Sequence, residues 1–210
     1  MMLTAAQLLR GYARGVFPMA ESAADPRLFW FDPPLRGILP VGGVHAPRSL
    51  RRELRRGGWS AHIDGDFDRI VRACADRKLT WISDRLRNLY HQLHLDGHAH
   101  ALEIRHHGEF AGGIFGVTLG RAFFGESMVS LRRDGSKMAL IWASDQLART
   151  GFTLFDTQFL TPHLRRMGGI EISRQSYHQQ LQRALRGEAD FRAVIPRPVD
   201  QLLQEITQTS

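Results

Sequence analysis

AFFGESM at residues 122–128 and LFDTQFL at residues 154–160 are the two apolar stretches that decide the fold of this chain. A turn, RRDG at residues 132–135, and a helical pattern at residues 136–150 separate them. A strand, a crossover helix and a second strand normally pair the strands in parallel through a right-handed connection. The sequence therefore predicts two neighbouring parallel strands joined by one helix.

Polar side chains interrupt both of these apolar strands. Asp156 and Gln158 are two residues apart, so on a regular strand they share one face. Burying such groups without partners costs roughly 2–7 kcal/mol, so they are either hydrogen-bonded structure or a site. Gly125 favours a β-bulge, which would bring Phe123 and Glu126 to one face and place a carboxylate beside an aromatic wall. The alternative role for Glu126 is a hydrogen bond to a neighbouring loop.

The remaining sequence surrounds this unit with further helices and strands. Periodicity and capping residues predict helices at residues 4–19, 48–56, 66–75, 84–95, 161–168 and 173–185, and strands at 36–41, 101–105, 110–117 and 170–172. Three aromatic residues at 29–31 lie in a Pro-rich connector, where they would fill a domain seam or stack on bases. The fold class is α+β, a mixed sheet flanked by helices on both faces, and the element order is similar to that of N-acetyltransferase-like proteins.

Composition points to a globular protein with a polyanionic partner. The chain has 210 residues, 43% of them hydrophobic, which suffices for one substantial core. Lys and Arg exceed Asp and Glu by 28 to 21, giving a net charge of +7. No apolar run approaches the ~20 residues that cross a bilayer, and the start lacks a secretory pattern, so we expect a cytoplasmic protein without membrane contact. Cys74 is the single cysteine, which excludes an intrachain disulfide.

Five arginines share the spacing of one helical face between residues 48 and 56. Guanidinium groups in such a stripe can each hold two phosphate oxygens, so the stripe suits the backbone of a nucleic acid. A solvated helix face in an Arg-rich chain is the alternative. The candidates for backbone contact are Arg48, Arg51, Arg52, Arg55 and Arg56.

Two other segments could bind a ligand, but neither has the complete sequence motif of a known site. Six histidines crowd residues 91–107, yet no second cysteine or Glu-x-x-His signature accompanies them, so we expect solvated histidines and no metal site. The turn at residues 132–137 opens the crossover helix and could hold an anion, as the Gly-rich turn of coenzyme-A-dependent N-acetyltransferases does. Lys137 stands where that turn needs Gly or Ala. A different polyanion or an ordinary surface turn fits equally.

Eight short motifs follow one another along the chain: GVFP at 15–18, WFDP at 30–33, TWI at 80–82, GHAH at 97–100, FFGESM at 123–128, SK at 136–137, DTQ at 156–158 and HL at 163–164. In these motifs and their order, the chain resembles the bacterial leucyl/phenylalanyl-tRNA–protein transferase family from about residue 8 to residue 198. The resemblance implies a small N-terminal subdomain and connector at residues 1–33 and an N-acetyltransferase-like catalytic domain at residues 34–210.

The resemblance also implies an activity, substrates and site residues. Members transfer Leu or Phe, with Met as a further candidate, from aminoacyl-tRNA to the N-terminal Arg or Lys of an acceptor protein, which marks that protein for degradation. By position, Gln158 would hold and help deprotonate the attacking α-amino group, and Asp156 would orient and polarise Gln158. The implied pocket for the aminoacyl side chain consists of Ile114, Phe123, Met128, Leu140 and Phe155. Trp81 and Glu126 match contacts to the terminal adenosine and ester.

Two positions depart from the family pattern. Met19 stands where members often have a tryptophan, which changes stacking on the terminal adenine, and Ala143 replaces a bulkier residue, which leaves the Leu-to-Phe preference open. The chemistry itself calls for no cofactor, because an aminoacyl ester is already activated and needs mainly alignment with the amine. The competing hypotheses are a coenzyme-A-dependent N-acyltransferase and a tRNA-binding module without catalysis.

Overall fold

The computed structural model describes residues 3–208 except residues 24, 26, 78 and 79. We number its helices and strands in chain order. The helices are α1 Ala5–Ala13, α2 Arg48–Arg55, α3 Phe67–Ala75, α4 Asp84–Leu95, α5 Gly135–Arg149, α6 Pro162–Arg166, α7 Arg174–Ala184 and α8 Val199–Gln208. The strands are β1 Phe17–Met19, β2 Phe29–Phe31, β3 Leu35–Leu39, β4 Trp59–Ile63, β5 Ala99–His106, β6 Glu109–Leu119, β7 Ala122–Ser130, β8 Leu154–Gln158 and β9 Ile170–Ser173.

A seven-stranded mixed sheet forms the centre of the molecule, with strand order β4-β5-β6-β7-β8-β3-β9. The β7–β8 pair is parallel, and the other neighbours are antiparallel. Helix α5 connects the parallel pair, because its apolar residues give one long segment that packs against β5, β6 and β7. These features confirm the predicted strand–helix–strand unit, the β5–β6 hairpin and the α+β fold class.

The sheet carries a hydrophobic core on each face. Alternate residues of its strands enter different cores, as the period of two requires: Leu102 and Phe155 join α2, α5 and α8, whereas Ala101 and Leu154 join α1, α3, α4 and α7. Leu8 and Tyr12 of α1 are fully buried in the second core. The predicted division of the chain at residue 33 stays a prediction, because these N-terminal residues pack within the core that the rest of the chain builds.

Three segments differ from the sequence-based prediction. Residues 16–19 were predicted to be helical, but α1 ends at Ala13, Gly15 takes φ +82°, and β1 pairs with β2 in a separate two-stranded sheet. The three aromatic side chains of β2 are between 39% and 42% exposed, so they do not fill a closed seam. Strand β4 and helix α8 were not predicted. In the described part of the chain, no helix is long and apolar enough to span a bilayer.

Candidate active site

Strands β7 and β8 pair over only three positions before they separate. Ala122, Phe123 and Phe124 lie opposite Leu154, Phe155 and Asp156, and beyond them β7 pairs with β6 alone. At this point Gly116 of β6 faces Gly125 and Phe115 faces Ser127, so Glu126 is the extra residue of a β-bulge. The predicted bulge is therefore confirmed. A cavity of about 230 Å³ opens where the two strands diverge.

The cavity has an apolar floor and a polar end. Ile114, Met128, Leu140, Phe155 and Leu164 supply apolar walls, and Met19, Trp81 and Phe159 supply further large side chains. Glu126, Thr157 and Gln158 form the polar end. The volume is below the roughly 300–1,000 Å³ of drug-sized ligand sites, so it suits one amino-acid side chain.

Most of the residues that the sequence assigned to substrate binding come together in this cavity, but Phe123 does not. Its ring lies 5.3 Å from Phe155 and 5.4 Å from Phe191, behind the cavity wall. Glu126 instead bonds to Tyr12 and Tyr90 of the core on the other face of the sheet, so the expectation that the bulge brings Phe123 and Glu126 to one face is wrong. The expectation that Phe123 lines the pocket directly is therefore corrected: it supports the wall from behind. Ala143 is fully buried in α5, and Leu140 is the α5 residue that reaches the cavity.

Glu126 accepts three hydrogen bonds from three separate parts of the chain. The Tyr12 hydroxyl of α1 donates to Oε1 at 2.8 Å, and the Tyr90 hydroxyl of α4 donates to Oε2 at 2.7 Å. Gln158 Nε2 donates to Oε1 at 3.2 Å. Because the amide nitrogen donates to Glu126, the carbonyl oxygen of Gln158 is the acceptor end of this amide.

Burial controls the protonation of this cluster. Burial, with a smaller contribution from the nearby Asp156 carboxylate, raises the pKa of Glu126 to about 7, although the three donated hydrogen bonds lower it. Burial and the neighbouring Glu126 also raise the pKa of the Tyr12 and Tyr90 hydroxyls well above their ordinary value, so both remain neutral donors. The cluster thus places a carboxyl group that titrates near neutral pH at the polar end of the cavity.

Asp156 is held by a different set of partners. Arg36 of β3 donates from Nε to Oδ1 at 2.9 Å and from Nη2 to Oδ2 at 2.7 Å, and the Tyr177 hydroxyl of α7 donates to Oδ2 at 2.8 Å. The Arg36 guanidinium lies between the rings of Phe17 and Tyr177, 4.4 and 4.3 Å from their centroids. Both charged side chains are almost completely buried. This is a bidentate ion pair clamped between two aromatic faces.

The link between Asp156 and Gln158 runs through the backbone. Asp156 Oδ1 accepts from the Gln158 backbone N–H at 2.8 Å, and Gln158 has φ +64°, a left-handed conformation that is uncommon outside glycine. This turn directs Gln158 into the cavity, whereas Asp156 points to Arg36. The expected contact of Asp156 with the Gln158 side-chain amide is thus corrected, because Glu126 holds that amide and Asp156 holds the backbone.

Gly37 of β3 makes room for this turn of the backbone. It lies opposite Gln158, and a Cβ atom at this position would meet the Leu160 nitrogen and the Phe159 carbonyl carbon at 2.7 Å. No direct signal in the sequence placed Tyr12, Tyr90 or Tyr177 in the site. A lone arginine in the apolar strand LRGIL at residues 35–39 was the one available sign that Asp156 has a buried cationic partner.

The other predicted ligand sites have different surroundings. Three histidines make local contacts, since His91 pairs with Asp68, His100 with Asp64 and His94 with the Ala99 carbonyl. Within the described ranges, no group of three or more potential metal ligands converges. In the turn at residues 132–137, the N–H groups of Gly135 and Ser136 already donate to Arg132 O and Ser130 Oγ. That use of its donors counts against an anion site of the coenzyme A type.

The predicted arginine stripe lies on α2, away from the buried site residues. Leu50 and Leu54 anchor this helix in the core, and Arg48, Arg52, Arg55 and Arg56 are exposed while Arg51 is half-buried. Arg56 pairs with Glu53 at 3.0 Å. The stripe is therefore available at the surface as a row of cationic groups.

Comparison with known proteins agrees with this architecture over the whole chain. A profile described as "Leucyl/phenylalanyl-tRNA protein transferase" matches residues 38–182, and a profile of that family's N-terminal domain matches residues 1–34. The leucyl/phenylalanyl-tRNA–protein transferase of Paracoccus denitrificans is 58% identical over 208 residues, covering 99% of this chain and 98% of the relative. The protein of the same name from Ruegeria pomeroyi is 54% identical, covering 97% of both chains. With its cavity, its Asp-Thr-Gln strand and these matches along nearly its full length, the chain belongs to the leucyl/phenylalanyl-tRNA–protein transferase family.

Proposed function

We propose that the protein transfers Leu or Phe from aminoacyl-tRNA to the N-terminal Arg or Lys of an acceptor protein. The observation that carries this proposal is the cavity between β7 and β8, whose apolar floor has the size of one side chain and whose polar end holds Gln158 and Glu126. An aminoacyl side chain seated on Leu140 and Phe155 would bring its ester to that polar end. Met as the transferred residue is a further candidate, because Met128 and Leu164 form adaptable apolar walls.

The reaction joins the α-nitrogen of the acceptor to the ester carbonyl carbon and breaks the bond from that carbon to the ribose oxygen. The amine proton ends on the ribose oxygen that leaves. An α-amino group has an ordinary pKa of about 7.7–8.0, so a neutral fraction exists near pH 7. Alignment of amine and ester can contribute roughly 7–11 kcal/mol, which makes positioning the main task of the site.

Gln158 is the residue that we propose to touch the attacking amine. Its carbonyl oxygen can accept an N–H of the amine, because Glu126 holds the amide nitrogen at 3.2 Å. Asp156 acts as a positioning residue, since its carboxylate fixes the left-handed backbone of Gln158. Trp81 and Met19 flank the cavity and would contact the terminal adenosine, with Met19 giving a softer contact than an aromatic ring.

The acceptor specificity, the biological role and the location of the reaction complete the proposal. Addition of Leu or Phe to a protein that begins with Arg or Lys would create an N-terminal degradation signal. Because charged tRNA is used in the cytoplasm, we place the reaction there. The five arginines of the α2 stripe would hold the tRNA backbone.

One assay tests the transfer and separates the competing hypotheses. The protein is mixed with Phe-tRNA or acetyl-coenzyme A, each labelled, and with peptides that begin with Arg, Lys or Asp. We expect Phe to appear on the Arg and Lys peptides alone. Transfer of acetyl, or tight tRNA binding without transfer, would contradict the proposal.

Replacement of Gln158 tests the residue assigned to the amine. We expect Gln158→Ala to lower the rate of transfer by about 10²-fold or more, because general acid–base groups contribute about 10²–10⁴-fold. The matched control is Gln179→Ala on the exposed side of α7, which should transfer at the wild-type rate. A Gln158→Ala variant with wild-type transfer would remove Gln158 from the mechanism.

A further inference from the structure

A second cavity of about 720 Å³ adjoins the aminoacyl cavity. The two share Arg77 and Met128 in their walls, so they meet at these residues near the end of β7. The second cavity lies between α3, the ends of β6 and β7, and the first turns of α5 and α6. Its lining residues are Arg69, Ala73, Asp76, Arg77, Phe110, Met128, Val129, Ser130, Leu131, Ser136 and His163. We call it the basic groove.

Cationic groups outnumber acidic ones in this groove. Arg77 donates to the Met128 carbonyl, where the groove meets the aminoacyl cavity. Arg69 pairs with Glu103 while its guanidinium lies 4.6 Å from the Phe110 ring centroid. The pKa of His163 is lowered by burial and by the nearby Lys137 and Arg166, which places two more cations beside the groove. Among the described residues of its wall, Asp76 is the one carboxylate.

The groove also offers one aromatic ring on which a base could stack and one exposed apolar side chain beside it. Phe110 is half-buried, and Leu131 is an exposed large hydrophobic residue, with 61% of its surface accessible. Cationic side chains beside an aromatic ring are typical of channels for single-stranded nucleic acid. Ser130 and Ser136 add hydroxyl groups to the groove wall.

The far end of the groove leads toward the α2 stripe. Leu131 is followed by the exposed Arg132 and Arg133. Burial lowers the pKa of His106, the nearby Arg132 lowers it as well, and Glu53 of α2 raises it. Arg132 and Glu53 therefore both lie near His106. Positive side chains thus occur in the groove, just beyond Leu131 and on the helix proposed to hold tRNA.

We propose that the basic groove holds the single-stranded 3′ end of aminoacyl-tRNA, with Arg77 and Arg69 facing the phosphates that precede the terminal adenosine. The inference rests on the proposed function, because it takes the aminoacyl group to occupy the adjoining cavity. A single nucleic-acid strand is narrow enough to enter such a groove. The double-stranded part of the tRNA is wider and would lie on the open surface of α2. The groove would thus fix the direction in which the tRNA leaves the cavity.

Two non-reactive donor analogues test this proposal by binding to the full-length protein. One is phenylalanine joined by an amide to the 3′ position of adenosine, and the other carries the same group on the trinucleotide CCA. We expect the wild-type protein to bind the trinucleotide analogue about tenfold more tightly, because only that analogue reaches the groove with phosphates. Equal affinity of the two analogues would overturn the proposal.

Leu131 provides a matched pair of variants at an exposed position of the groove. Leu131→Glu adds a negative charge and should reduce the trinucleotide advantage to less than about threefold, whereas the neutral Leu131→Gln should retain it. The adenosine analogue should bind both variants as it binds the wild type. Equal behaviour of the two variants, or equal weakening of both analogues by Leu131→Glu, would overturn the proposal.

Salt dependence gives an independent reading of the phosphate contact. Arg77→Gln should lower the slope of log affinity against log salt by about 0.7 for the trinucleotide analogue, the value for one phosphate of a single strand. An unchanged slope would remove Arg77 from the contact. The proposed function is tested by a separate measurement, the transfer of Phe from intact tRNA by the wild-type protein. Absence of that transfer would contradict the proposed function, whatever the analogues show.

Discussion

Gln158 works from a backbone conformation that few residues other than glycine adopt. A non-glycine residue in this region costs of order 1–3 kcal/mol and persists only when its surroundings determine it. Here the surroundings are the Asp156 carboxylate on its N–H and the Glu126 carboxylate on its amide. Sequence alone identified Asp156 and Gln158 as a pair but predicted the wrong contact between them, because a regular strand was assumed through Gln158. The direction of a side chain after a positive φ cannot be read from alternation.

Removal of Asp156 should destabilise the protein as well as impair transfer. Asp156→Ala leaves the Arg36 guanidinium buried without its carboxylate, and breaking such a pair costs about 3–5 kcal/mol. Urea unfolding measures this loss, and the double variant Asp156→Ala with Arg36→Met should recover part of it. Glu21→Ala, which breaks an exposed pair with Arg27, is the control and should change stability by less than about 0.5 kcal/mol. Equal unfolding midpoints for the two single variants would contradict the clamp.

The raised pKa of Glu126 makes stability depend on pH in a defined direction. The folded pKa is about 7 and the ordinary value is 4.5, so between these values the unfolded carboxyl loses its proton while the folded one keeps it. Deprotonation therefore favours unfolding, and the stability contributed by this group falls by roughly 1.4 kcal/mol per pH unit through that window, then stays level above it.

The comparison of wild type with Glu126→Gln isolates this effect. Glutamine does not titrate. The unfolding free energy of the wild type should therefore fall relative to that of Glu126→Gln between about pH 4.5 and 7, and the difference should be constant at higher pH. Glu109→Gln, at the exposed first position of β6, serves as the control. A flat difference across the window would show that Glu126 titrates at an ordinary pKa.

At the scale of elements, the parallel pair β7 and β8 with its crossover α5 was predictable, because a long apolar helix between two apolar strands is a local signal. Strand β4 was missed although Trp59–Ile63 alternates apolar and polar residues, because the segment is short and its partner β5 lies some forty residues later. The three-residue strands β1 and β2 are too short to show a period at all. The position of the cavity depends on where β7 and β8 separate. That position is set by the pairing of the whole sheet, so the sequence of either strand alone does not reveal it.

Helix α2 carries a prediction of its own. Reversing two charges with Arg51→Glu and Arg55→Glu should weaken tRNA binding and lower the salt slope by about 0.9 for each duplex phosphate that the helix no longer neutralises. Filter binding across a salt titration measures both. The matched control is Arg183→Glu with Arg186→Glu. These two residues are exposed and lie at, and just beyond, the end of α7, a helix that packs on the other face of the sheet. If the two double variants weakened tRNA binding equally, the net charge of the protein would attract the tRNA and the α2 stripe would make no specific contact with it.

For the whole molecule, the site unites distant parts of one chain. Glu126 receives hydrogen bonds from α1, α4 and β8, and Asp156 receives them from β3 and α7. Residues 1–33 are predicted from the sequence to form a subdomain, yet Tyr12 reaches the polar end of the cavity from that segment. Only the folded chain brings these groups together, because the sequence separations involved exceed any local periodicity.

Tyr12 tests whether the N-terminal helix belongs to the site. Tyr12→Phe removes one donor to Glu126, which should cost about 1–3 kcal/mol, raise the pKa of Glu126 further and slow transfer. Thr4→Ala is the matched control, because it removes the α1 capping box at a cost of about 0.5–2 kcal/mol without touching Glu126. If both variants transferred Phe at the same rate, α1 would serve only stability.

The buried clamp on Arg36 also sets an order of events during synthesis. The ribosome delivers Tyr12, Phe17 and Arg36 early, but Asp156 and Tyr177, which satisfy that guanidinium, emerge more than a hundred residues later. Before Asp156 and Tyr177 are synthesised, burial of the Arg36 guanidinium is unfavourable because its partners are missing. The Gln158 backbone likewise lacks the Asp156 carboxylate that holds its left-handed conformation. Catalytic competence is therefore a property of the nearly finished polypeptide, and an enzyme that labels other proteins cannot begin doing so while it is still being made.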